Sequence, residues 1–120
     1  MNVENTSVQM RKGFLEYCIL LAIQQGGEVY TSDLIDQLKQ AEIIVVEGTL
    51  YPLLSRLHKS GTLEYSWQES NAGPPRKYYR LAQPEGAHFL KELDETWASL
   101  AASVQKLLNN QTNSKPKNDE

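Results

Sequence analysis

Between Glu47 and Gly61 the chain reads EGTLYPLLSRLHKSG, and its polar side chains there are suited to giving hydrogen bonds. At ~100° per residue, a helical reading puts Gly48, Pro52, Ser55 and Lys59 opposite a stripe of Leu50, Leu53, Leu54 and Leu57. Thr49, Tyr51 and Arg56 flank that polar side, and no carboxylate follows Glu47 within the stretch. Hydroxyl, guanidinium and ammonium groups donate to phosphate oxygens and base edges, whereas a carboxylate would repel a phosphodiester backbone. The chemistry on offer is recognition of a polyanion. For Tyr51 the competing reading is a half-buried packing residue.

A second donor set follows in GPPRKYYRL, Gly73 to Leu81, with Arg76, Lys77 and Arg80. The chain as a whole is acidic, with a formal net charge of −3. From Glu47 to Leu81, however, Arg56, Lys59, Arg76, Lys77 and Arg80 outnumber Glu47, Glu64 and Glu69. A locally basic module inside an acidic chain carries more information than the total. Solvated charges on an exposed surface would give the same count, so charge alone leaves duplex DNA and a protein partner equally open.

Other chemistries find little support. His58 and His88 are the only histidines and lie far apart, and there is no glycine-rich phosphate loop. Glu85, His88 and Glu92 share one helical face, which reads as a solvated cluster and not as a metal site. The lone Cys18 can form no internal disulfide and no multi-cysteine zinc site. It sits in the apolar run Phe14–Ile23 and reads as a reduced core thiol. No catalytic residues, metal or cofactor are expected. Met1–Gln9 has no apolar signal-peptide core, and the longest apolar run is about half of the ~20 residues that cross a bilayer. A cytoplasmic protein without a membrane partner is the expectation.

The donors need elements to position them. The length of 120 residues fits one domain. Residues 1–7 read as a flexible lead. A helix from about Val8 to Gln25 is apolar all round at Ile19–Ile23, as a central helix would be. Gly26-Gly27 ends it. Thr31 or Ser32 can cap a second helix reaching about Gln40, with Leu34, Ile35 and Leu38 inward. AEIIVV reads as a buried connection, with a short strand as the alternative. The third helix starts near Thr49 and ends at Gly61 as its C′ residue. If it starts earlier, Pro52 costs one backbone hydrogen bond.

Two period-2 runs follow. Leu63, Tyr65 and Trp67 alternate with polar neighbours, and Lys77, Tyr79 and Leu81 alternate with Arg76, Tyr78 and Arg80. The turn formers Asn71, Gly73, Pro74 and Pro75 between them make a β-hairpin. Only one of Tyr78 and Tyr79 can face the core, and Tyr79 shares a side with Leu81. After Pro84 a last helix carries Leu90, Leu93, Trp97, Leu100, Val104 and Leu107 at spacings of three and four. That is a heptad seam.

Helix–helix–helix–hairpin–helix is the order of a winged helix-turn-helix with an added C-terminal helix. The class is mainly α with a small β-hairpin. The expected divisions are a flexible 1–7, a DNA-binding domain over 8–82, a dimerisation helix over 83–108 and a disordered 109–120.

Gly48 to Leu57, GTLYPLLSRL, closely resembles the recognition-helix signature of PadR-type transcriptional regulators. GPPRKYYRL resembles that family's wing, and RKGFLEYCILLAI its first helix; the likeness also implies an earlier start of the third helix, at Val46 or Glu47. The resemblance covers roughly Arg11 to Leu108. It departs where Thr62 and Ala82 replace residues common in the family, and where Tyr30-Thr31-Ser32 opens the second helix. None of these departures touches the DNA-facing set.

The resemblance implies a homodimeric repressor of the short-tailed type, whose partner is double-stranded DNA with pseudo-palindromic half-sites. It places DNA contacts at Lys12, Gly48, Thr49, Tyr51, Pro52, Ser55, Arg56, Lys59, Arg76, Lys77 and Arg80. Dimer contacts fall at Leu90, Leu93, Trp97, Leu100, Val104 and Leu107. A planar aromatic or phenolic effector would meet Trp97, with Phe14 and Tyr17 as interface or pocket residues; simple packing is the plainer role for Trp97. The alternative function is a winged-helix adaptor that binds protein without sequence-specific DNA binding.

Overall fold

The computed structural model describes residues 2–113. The chain divides into two compact units, Met1–Leu90 and Lys91–Glu120. Helix α1 runs Val3–Gly26, α2 Thr31–Gln40, α3 Glu47–Lys59 and α4 Glu85–Asn113. Strands β1 (Val29–Tyr30), β2 (Leu63–Ser70) and β3 (Gly73–Leu81) form one antiparallel sheet in the order β1-β3-β2.

The first helix corrects the expected flexible lead over 1–7 and a start near Val8. It begins at Val3 because the Asn2 side chain accepts a hydrogen bond from the Asn5 N–H at 3.2 Å, and Glu4 favours the dipole in the first turn. Its C-terminal half packs Leu15, Ile19, Leu20, Ala22 and Ile23 inside the unit. Gly27, at φ +81°, lets the chain turn into β1. This two-residue strand pairs Val29 with Tyr79 and Tyr30 with Tyr78. It is too short to leave a period-2 trace, so the expected hairpin is a three-stranded sheet.

Neither Thr31 nor Ser32 caps α2. Tyr30 holds the cap position without a side-chain hydrogen bond, and Thr31 is buried as the first helical residue. Both α2 and α3 close in Schellman motifs. Ile43 N–H reaches Leu38 O and Glu42 N–H reaches Lys39 O; Thr62 N–H reaches Leu57 O and Gly61 N–H reaches His58 O. Gly61 takes the left-handed φ of +86°, the C′ role its type suits. Glu42 adopts φ +63° in the same role, where a glycine would be less strained.

The core of the first unit gathers Ile19, Leu20, Ile23, Leu34, Leu50, Leu54, Leu63 and Leu90, all fully buried. The link AEIIVV is a connection and not a strand, with Val45 inside and Ile44 and Val46 outside. Where α4 begins, a Cβ at Gly86 would overlap the Thr62 carbonyl oxygen, so only glycine allows this approach. The second unit is the remainder of α4. The helix continues through Asn113, beyond the boundary at 108, and the rest of the expected 109–120 tail lies outside the described residues.

Candidate nucleic-acid interface

Helix α3 starts at Glu47, so the earlier of the two readings holds. Val46 is its N-cap, and its carbonyl accepts from the N–H groups of Thr49 and Leu50 at 3.0 and 3.1 Å. Pro52 therefore lies inside the helix and cannot donate to the Gly48 carbonyl. That loss falls on the exposed side of the helix, where Gly48 is open to solvent. Leu50, Leu54 and Leu57 are buried and Leu53 half-buried, while Gly48, Thr49, Tyr51, Pro52, Ser55, Arg56 and Lys59 are all exposed. The helix thus presents an outward face without a carboxylate after its first turn.

Two residues of that face are tied into the unit. Arg56 forms an ion pair with Glu16 of α1, although its side chain stays 65% exposed. The pair fixes the direction of the guanidinium and partly neutralises it. At that exposure it contributes little to stability, about 0–1 kcal/mol. Tyr51 stands beside the sheet. Burial pushes the Tyr79 phenol up, and the nearby phenols of Tyr65 and Tyr51 add to the shift. Tyr51 itself is 48% exposed. Lys12, on α1, is exposed and has no ion-pair partner among the described residues.

The register of the hairpin sorts its three cations onto two faces. Tyr65 pairs with Tyr79 and Trp67 with Lys77; Glu64 pairs with Arg80, Ser66 with Tyr78 and Gln68 with Arg76. On one face His58 of α3 rests against Tyr65 with ring centroids 4.6 Å apart. This is the face turned to the recognition helix, and of the three cations only Lys77 lies on it. Its ammonium sits 4.3 Å from the Tyr65 ring centre, 5.2 Å from Trp67 and 5.9 Å from Tyr79.

The other face holds Arg76 over Tyr30 at 4.7 Å and Arg80 between two carboxylates, Glu28 at 3.3 Å and Glu64 at 3.2 Å. Gln68 also donates to Glu28 at 3.2 Å. Arg80 is thus a cross-strand strut paired with two carboxylates, whereas Lys77 meets no carboxylate among the described residues. Sequence periodicity separated these faces. It could not say which one met α3, nor that β1 would bring Tyr30 and Glu28 beside the other.

The remaining expected residues fall elsewhere. Phe14 and Tyr17 are half-buried on α1. Leu90 is wholly inside the core of the first unit, so it is not available as a seam residue. In the second unit Leu93 is half-buried and Trp97, Leu100, Val104 and Leu107 are exposed. Cys18 is half-buried, and burial raises its thiol pKa. Among the described residues no helix is long and apolar enough to cross a membrane.

Residues 19–92 match the model of the family described as transcriptional regulator PadR-like. Solved structures agree. The chain is similar to the PadR-like transcription factor from Bacteroides fragilis, with 51% identity and a TM-score of 0.73 over 86% of this chain and 98% of that one. It is similar to a PadR family regulator from Eggerthella lenta, at 33% identity and TM-score 0.76 over 88% and 91% of the two chains. It also resembles a PadR-like regulator from Bacillus cereus, at 40% identity and TM-score 0.72 over 83% and 96%. No protein of curated function matches. With a family match over most of its first unit and relatives aligned almost end to end, the chain belongs to the PadR-like family: it is a DNA-binding transcriptional regulator and not an enzyme.

Proposed function

We propose that this protein is a cytoplasmic homodimeric repressor that binds pseudo-palindromic operator DNA and is released by a small planar aromatic or phenolic effector. The observation that carries the reading is the outward face of α3. It offers Thr49, Tyr51, Ser55, Arg56 and Lys59 with no carboxylate among them, on a helix whose leucines anchor it to the core. Gly48 and Pro52 keep that face low, so backbone and short side chains can approach a groove. Lys12 and Lys77 contact phosphates on either side of α3, and Arg76 and Arg80 act from the back of the wing.

Support for a dimer comes from the second unit, where Trp97, Leu100, Val104 and Leu107 are exposed at heptad spacing. The seam starts at Leu93, because Leu90 is spent in the core. Two-fold symmetry then sets half-sites about one helical turn, or a multiple, apart. Trp97 is assigned to the effector; Phe14 and Tyr17, on α1, are assigned to the interface or to a pocket. An effector releases DNA by favouring one angle between the two reading heads, which requires different affinities for the two states.

The test is selection of bound fragments from genomic DNA, followed by titration of the selected duplex at several salt concentrations. Each phosphate contact steepens the salt dependence of log K by about 0.9. Binding that ignores salt and sequence would sink the operator reading and favour the protein-adaptor alternative.

A further inference from the structure

Trp67 has no role in the reading so far, and its setting is unusual. It lies in β2 on the face turned to α3, in register with Lys77, and is 63% exposed. Tryptophan is highly buried on average, so exposure of this extent is uncommon, and its neighbours add to the point. Tyr65 meets its ring edge-on at 6.3 Å between centroids, and the Lys77 ammonium lies 5.2 Å from its centre. The result is an exposed indole with a cation held over its ring, continuing outward from the His58–Tyr65 contact that joins α3 to the sheet.

That pairing matches the sugar–phosphate backbone, which alternates an apolar deoxyribose with an anionic phosphate. We propose that Trp67 is a DNA-contacting residue: its indole packs on a deoxyribose while Lys77 donates to the adjacent phosphate. Lys77 is suited to this because no carboxylate pairs with it among the described residues, whereas Arg80 faces two. Its attraction to three rings holds the ammonium close to the indole instead of letting it wander. The contact is blind to sequence, so it belongs to positioning and not to base reading. The inference rests on the operator-binding reading and adds a residue to it.

Because the contact is to backbone, a random-sequence duplex of about three helical turns, roughly 30 base pairs, is a sufficient probe. Binding is followed by anisotropy of labelled duplex and, separately, by tryptophan emission of the full chain. Wild type is expected to show a DNA-dependent change in emission that disappears in Trp67→Phe. Trp67→Ala is expected to bind about tenfold more weakly, in the range of aromatic contacts to nucleic acid. It should do so with an unchanged salt slope, while Lys77→Ala lowers the slope by about one. Circular dichroism checks that each variant is folded, and Trp67→Phe keeps a ring in place if alanine disturbs the strand.

Three results would overturn the proposal. Two of them are a Trp67→Ala affinity equal to wild type and an emission change that persists in Trp67→Phe. A flattened salt slope in Trp67→Ala would show instead that Trp67 merely holds Lys77. If wild type itself fails to bind duplex DNA, the operator reading falls first and this inference with it.

Discussion

Helices α3 and α4 carry the same kind of apolar stripe and put it to opposite uses. In α3, Leu50, Leu54 and Leu57 are buried within their own unit, and only the polar side faces out. In α4 the stripe begins inside, at Leu90, and then emerges, so that Leu100 is 58% and Leu107 69% exposed. The three–four spacing says that a helix has an apolar side. Whether that side meets its own chain or another depends on what lies within reach. The leucines of α3 pack within the first unit, where β2 lies against the helix, whereas α4 runs on into a second unit with little of its own to cover it.

The same substitution in each helix separates the two uses. Leu54→Ala opens a cavity in the core and should cost about 2–5 kcal/mol of unfolding free energy in urea titration. A loss under about 1 kcal/mol would mean that the core collapses around the site more readily than most do. Leu100→Ala should act on self-association instead, weakening the dimer about ten- to a hundredfold, or roughly 1.4–2.8 kcal/mol. Sedimentation equilibrium reads this directly. An unchanged dissociation constant would remove Leu100 from the seam.

The polar side of α3 gives the next smaller effect. Arg56→Ala should weaken operator binding by about 1–3 kcal/mol if the guanidinium reads a base. An equal loss on every sequence would limit it to phosphate. Its partner sharpens the point, since a guanidinium that is to contact DNA must do so in competition with Glu16. Glu16→Gln should tighten duplex binding by a few-fold at most, within the ~1 kcal/mol typical of exposed ion pairs. Weaker binding in that variant would mean that Glu16 orients Arg56 for contact and does not restrain it.

The smallest effect concerns α1. Burial raises the thiol pKa of Cys18. The group then deprotonates at lower pH in the unfolded chain than in the folded one. Its contribution to stability is intact below the unfolded thiol pKa and falls as pH rises above it. At mildly alkaline pH a thiol reagent should label the native protein more slowly than the protein in urea. Equal rates would place the thiol in open solvent.

What could be read along the chain was what neighbours in sequence determine. The stripe of α3, its end at Gly61, the alternation that puts Tyr79 with Leu81, and the heptads of α4 all follow from backbone periods and from glycine's tolerance of positive φ. The element order, with the GTLYPLLSRL and PPRKYYRL motifs, was enough to indicate the winged helix and the family. Local signals also misled. The polar lead concealed an asparagine cap that starts α1 at Val3, and Thr31 and Ser32 suggested a cap that the Tyr30 backbone position provides instead.

Only the tertiary structure decided which charges remain available. Arg56 meets Glu16, 40 residues away in sequence, and Arg80 meets Glu28, 52 residues away. No period or motif encodes such pairings, because they depend on where separate elements come to rest. The placement of α3 against one face of the sheet, and of β1 along its edge, left Lys77 beside an exposed Trp67 and closed Arg80 between carboxylates. The sequence alone thus determined the elements and their apolar sides; packing determined which donors and which rings remain exposed.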